Sequence, residues 1–266
     1  MIMRSLLFLA CLHLSASGLC AELILLTTDA TETIGGITIR NGDIAKYDTM
    51  TDTATLAFNE DLFTANEAID AFQILTDGTF LISTSGAATL GGVSFTPDDI
   101  VSYNPRNGFV EIVFSGDDFS ANENIDAFYR FHDGTWLIST VGTATLGGLT
   151  FRDGDLAHYD ETTDMATLFF NEDLFAGNED IDGVYAITPD ILRLTTLSNA
   201  TLDGTLFEDG DVIEYTISTG VATTVLDESL FGGAADINGI SAIPEPQFDL
   251  LAGVALLACL AWWRRR

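Results

Sequence analysis

The sequence predicts an all-β fold, a four-bladed β-propeller closed by a split blade, and three observations predict it. First, one 56-residue period runs through the body with no insertion or deletion. Thr76–Thr84 recurs as His132–Thr140; Tyr47, Tyr103, Tyr159 and Tyr215 share the offset, as do Phe63, Phe119, Phe175 and Phe231. Self-similarity at a fixed period marks a repeat architecture. Second, each unit reads as about four short apolar or β-branched runs between turn residues, which is the content of a propeller blade. Third, the repeats start and stop out of phase. The body begins in the Leu23–Thr27 strand and ends in the Ile237–Ile243 strand, so closing the circle pairs the two and removes two exposed edges. An open β-solenoid or a β-sandwich is the alternative, because repeats alone also suit those folds.

The chain divides into three parts. Residues 1–21 follow the order of a secretory signal peptide: a charged Met1–Arg4, an apolar Leu6–Leu14 helix, then small residues at Ser15–Gly18 and Ala21. Cleavage after Gly18 or Ala21 fits; Cys20 raises a lipoprotein alternative, against which Leu19 stands in the place of the usual small residue. Residues 22–243 hold the repeats, at 20–75, 76–131, 132–187 and 188–243. Within the second unit, Phe80–Thr84 follows an Asp-Gly turn, Ile100–Tyr103 follows Thr96–Asp99, and Val110–Phe114 alternates apolar and polar residues. Ile125–Phe131 is the fourth strand, and no body window carries a helical period. Residues 244–266 form the tail.

Composition narrows the function. Of 266 residues, 47% are hydrophobic, which excludes generic disorder despite a net charge of −30. Residues 22–243 carry 38 of the 40 acidic side chains and six basic ones, which excludes a nucleic-acid partner. Cys11, Cys20 and Cys259 all lie outside the body cleaved after Ala21, so that body has no disulfide, thiol chemistry or cysteine-ligated zinc.

The tail reads Pro244-Glu245-Pro246, then the uncharged run Leu250–Trp263 within a short transmembrane helix over 248–263, then Arg264-Arg265-Arg266. These three elements, in this order, resemble the PEP-CTERM sorting signal of Gram-negative bacteria. The resemblance covers about 24 residues and implies processing near Pro244, Glu245 and Pro246 by an exosortase-type membrane enzyme. It also implies passage through the export machinery across the inner membrane, transient anchoring through the tail, and a final place at the outer surface or outside the cell. Its wider implication is association with exopolysaccharide, biofilm or matrix. A plain single-span anchor is the alternative for the same segment.

The acids recur in register with the repeat. One set follows the last outer strand of each unit, as in Asn59-Glu60-Asp61, Asp117-Asp118 and Asn171-Glu172-Asp173. Clustered carboxylate and amide oxygens suit Ca²⁺, although a solvated acidic loop is the simpler reading. A sharper metal candidate is Asp70, Asp126, Asp182 and Asn238, which open the innermost strand of each blade and form a ring at the central channel. Capping of local turns competes with that reading. The Asp-Gly-Asp segments read as turns, the Gly-Gly pairs as positive-φ positions, and the periodic Tyr and Phe residues as inter-blade core. His132 and His158 fall outside the repeat framework and read as surface substitutions, and no catalytic motif is present. The expectation is an exported, non-enzymatic structural or binding protein. A secreted carbohydrate-active enzyme is the alternative, for which a cleft with two carboxylates in one non-equivalent blade would speak.

Overall fold

The structure, a computed structural model, describes residues 23–231 and 236–242. The signal segment 1–21, the Pro244-Glu245-Pro246 motif, the 248–263 helix and the Arg264–Arg266 cluster lie outside the described residues. The fold is a four-bladed β-propeller. Each blade is a four-stranded antiparallel sheet. In the second blade the order from the axis outward is Ile69–Ile74, Phe80–Thr84, Ile100–Asn104 and Phe109–Phe114. The third and fourth blades repeat it from inner strands Ile125–Arg130 and Ile181–Thr188. The first blade is split: Ile237–Ala242 supplies the inner strand to Leu23–Thr28, with Leu25 opposite Ser241 and Leu26 opposite Ile240. Both otherwise open edges are thereby paired.

A two-stranded hairpin not foreseen from the sequence sits in each unit, such as Ala88–Leu90 with Val93–Phe95. Its turn is the Gly-Gly pair, and Gly91 and Gly92 adopt φ of 57° and 86°. Two successive positive φ values define the turn whose twist matches a hairpin, which is why glycine recurs there. Four single-turn 3₁₀ helices, Glu60–Leu62, Gly116–Asp118, Glu172–Leu174 and Glu228–Leu230, follow the outer strands. They are too short to leave a period in the sequence.

The cores lie between blades. One cluster joins Ile24, Leu26 and Tyr47 of the first blade to Val212, Leu226 and Phe231 of the fourth unit, and equivalent clusters fill the other three seams. The periodic aromatics meet there edge to face: Tyr47 with Phe231, Phe114 with Tyr159, Phe170 with Tyr215. Three of the seams are also stitched by backbone among the described residues, as where Ser120 N donates to Thr145 O at 3.0 Å. The four inner strands pack on one another around the axis.

Candidate functional site

At one end of the axis each inner strand carries a β-bulge. Ile69 faces Thr84 and Ala71 faces Ser83, leaving Asp70 as the extra residue. Asp126, Asp182 and Asn238 occupy the same place in the other three blades. A bulge breaks the ladder and re-aims one side chain. Here the re-aimed side chains reach toward the start of the next inner strand. Asp70 accepts from Asn124 Nδ2 at 3.0 Å, and Asn238 Nδ2 donates to Ile69 O at 3.2 Å. Asp182 accepts from Thr195 Oγ1 at 2.7 Å in its own blade. Asp126 comes within hydrogen-bonding reach of Asp180, a carboxylate facing a carboxylate.

Burial dominates the electrostatics here. It pushes Asp70 and Asp180 up to about 6, and the Asn124 bond only partly offsets the rise at Asp70. Asp126 and Asp182 are held well above the ordinary carboxylate range, first by burial. Neighbouring carboxylates add to this at Asp126, where Asp180, Asp182 and Asp70 all act. Asp236, the fourth-unit counterpart of Asp180, is pushed up to about 6 by partial burial and by Asp209 and Asp29.

A second acidic group is less symmetric. In the first and third units an arginine neutralises the 3₁₀ acids: Arg40 Nη1 lies 3.0 Å from Glu60 and 2.8 Å from Asp61, and Arg152 contacts Glu172 at 3.1 Å and Asp173 at 2.8 Å. The fourth unit has Glu208 at the arginine position. There Asp209, Glu228 and Asp236 each bring an oxygen within 4.8 Å of the others, the one acidic trio that does so among the described residues. The axial set Asp70, Asp126, Asp182 and Asn238 is therefore brought to one end of the channel, but without three carboxylates in mutual ligand range. Sequence spacing missed the fourth-unit trio; the replacement of Arg40 and Arg152 by Glu208 was the signal that could have found it.

The buried carboxylates that end the Asp-Gly-Asp turns and their counterparts in the other units differ from simple turn residues. Asp43, Asp99, Asp155 and Asp211 each accept from the backbone three residues earlier and from the first residue of the following 3₁₀ helix. Among the histidines, His132 is exposed, whereas His158 is half-buried and bonded to Thr135 Oγ1 at 2.9 Å.

One outer groove departs from fourfold symmetry. Between the first and second blades it is lined by Phe58, Tyr103, Leu62 and Pro105, with a volume near 330 Å³. The next copy has Phe114, Tyr159, Asp118 and Glu161, with a volume near 470 Å³. Two apolar positions have thus become carboxylates in one copy. Both are raised from their ordinary values, burial being the first cause at each. Glu161 also accepts from Trp136 Nε1 at 3.0 Å.

No family model and no curated protein matches the chain. Solved structures similar to it include YCF48 bound to D1 peptide, at 10% identity and TM-score 0.34, covering 72% of this chain and 52% of that one. Others are a protein of unknown function from Bacteroides caccae, at 11% identity and TM-score 0.40 over 85% and 100% of the two chains, and the nidogen/laminin complex, at 10% identity and TM-score 0.40 over 82% and 97%. The chain spans about half the length of the first of these.

Proposed function

We propose that the chain is an exported, non-enzymatic structural or binding protein of the cell surface or exopolysaccharide matrix, sorted by its PEP-CTERM-like tail. The observation that carries this reading is an acidic rim repeated around a propeller, with exposed carboxylates such as Asp117 and Asp227 beside the 3₁₀ turns. A repeated anionic face suits multivalent, cation-dependent contact with a polymer, where weak sites add through effective concentration. Export machinery, an exosortase-type enzyme and exopolysaccharide are the partners this reading requires. The test is adhesion of the full chain to the producer's polysaccharide with and without Ca²⁺, alongside mass analysis of the cell-associated and released forms. Calcium-dependent adhesion without cleavage, and a released form ending near Pro244, are expected; cleavage of the polymer overturns the non-enzymatic part.

The alternative, a carbohydrate-active hydrolase or lyase, is favoured by one observation: the groove in which Asp118 and Glu161 replace Leu62 and Pro105. Paired carboxylates of raised pKa are what glycoside cleavage uses. If the chain cleaves polysaccharide, Asp118→Asn and Glu161→Gln each abolish it while leaving thermal unfolding unchanged.

A further inference from the structure

Asp126 is 5% exposed, and neither of its oxygens receives a hydrogen bond from a donor among the described residues. The same holds for Asp180 Oδ1, Asp182 Oδ2, Asn124 Oδ1 and Asn238 Oδ1. All six of these atoms are oxygens, and they belong to residues gathered at one mouth of the channel. Buried polar atoms are ordinarily satisfied, so a group of acceptors with no donor calls for something positive or proton-bearing between them. Asp126 and Asp180 make the need specific, since two ionised carboxylates only accept and still lie within bonding reach of each other.

Among the described residues, no basic side chain donates a hydrogen bond to these oxygens. Arg40 and Arg152 are engaged on the 3₁₀ acids, Arg193 lies 3.3 Å from Glu214, and Arg130 stacks over Trp136 at 4.9 Å.

We propose that Asp126 and Asp180 hold one divalent, oxygen-seeking cation of the calcium class between the third and fourth blades. Asp126 lies on the third blade's inner strand and Asp180 directly precedes the fourth's, so the ion cross-links two blades at the axis. Two carboxylates, nearby amide oxygens and water make the flexible all-oxygen shell that Ca²⁺ accepts, while the absence of sulfur and imidazole disfavours zinc. The fourth-unit trio of Asp209, Glu228 and Asp236 is half-buried and has no comparable buried, donor-free oxygens. It serves as the internal control. This proposal stands apart from the matrix reading, because an axial ion can be present whether or not the rim binds polymer.

The experiment uses the full chain in mild detergent, stripped with EDTA and titrated with CaCl₂ by calorimetry and by thermal unfolding. One ion per chain at this site is expected, with a melting temperature raised by about 5 to 10 °C at a hundredfold excess over Kd. Asp126→Asn removes a buried charge and so folds, yet it loses that ion and its thermal shift. Glu228→Gln keeps both. No binding in the wild type overturns the proposal, as does binding that survives Asp126→Asn and disappears in Glu228→Gln. Polymer adhesion that fails while the axial ion still binds leaves the proposal intact and removes only the matrix reading.

Discussion

The Asp155 carboxylate accepts a hydrogen bond from the backbone N–H of Glu172 at 2.8 Å while its other oxygen accepts from Arg152 N at 2.8 Å. One buried side chain thus holds the turn entering the third strand against the 3₁₀ helix leaving the fourth. Asp155→Ala strands both amides, and losing a buried partner costs about 1–3 kcal/mol per group. Urea unfolding should therefore show a loss of about 2–4 kcal/mol, with Asp155→Asn, which keeps one acceptor, losing about half. An alanine variant within 0.5 kcal/mol of wild type would show the latch to be dispensable.

Gly154 lies in the same turn. A Cβ there would collide with the Glu179 carbonyl oxygen and crowd Glu172 Cβ. Backbone cannot swing aside as a side-chain end can, so Gly154→Ala is expected to destabilise by about 1–3 kcal/mol. Gly148→Ala meets nothing within 4 Å and suffers only from its φ of 79°, about 1–2 kcal/mol. Parallel denaturation curves of the two variants separate collision from backbone strain.

Phe231 fastens the closing seam, packing on Tyr47 with ring centroids 6.0 Å apart. Phe231→Ala should lose about 3–5 kcal/mol, as large core truncations do. Deleting Ile237–Ala242 goes further and bares the Leu23–Thr28 edge. Unpaired edges recruit other chains, so light scattering should show oligomers in the deletion and a single species in wild type.

The axial acids set a pH dependence. An acid whose pKa rises on folding keeps its proton in the native state where the unfolded chain has lost it. Asp70 and Asp180 stand near 6 against an ordinary 3.8, so the native state binds more protons through that interval. Their contribution is fully present below about pH 4 and is lost as pH rises through about 6. Asp48, Asp77, Asp133, Asp160 and Asp227 are lowered instead, so their contribution is present above 3.8 and is lost as acid takes the pH below it. In chelator, the melting temperature should peak near pH 5 and fall toward pH 7.5. A peak at pH 8 or above contradicts the assignment.

The repeat period made the propeller and its split closure legible, because packing every blade against identical neighbours keeps Tyr, Phe and Gly-Gly at one offset. What the period hides is contact between non-equivalent positions. Asn124 meets Asp70 across 54 residues, and Asp180 meets Asp126 across the same separation, so aligning the units at 56 sets these partners in different columns. The buried Asp155 latch was equally obscure. An aspartate in an Asp-Gly-Asp turn has the composition of a solvated loop, and only the returning 3₁₀ helix buries it. Asp118 and Glu161 stand out only once the groove pairs them, since each alone looks like ordinary drift in a surface loop.

The split blade also orders assembly in time. The second blade forms from Ile69 to Phe114, a stretch short enough to zip by local encounters. Leu25 must wait for Ser241, a partner more than 200 residues downstream. Loop-closure entropy and contact order both place that pairing late. Until it forms, the Leu23–Thr28 strand is a capture site for whichever inner strand arrives, its own or another molecule's. Exchange of the Ile237–Ala242 strand between two chains is the misassembly this topology invites, and dilution during refolding is what steers against it.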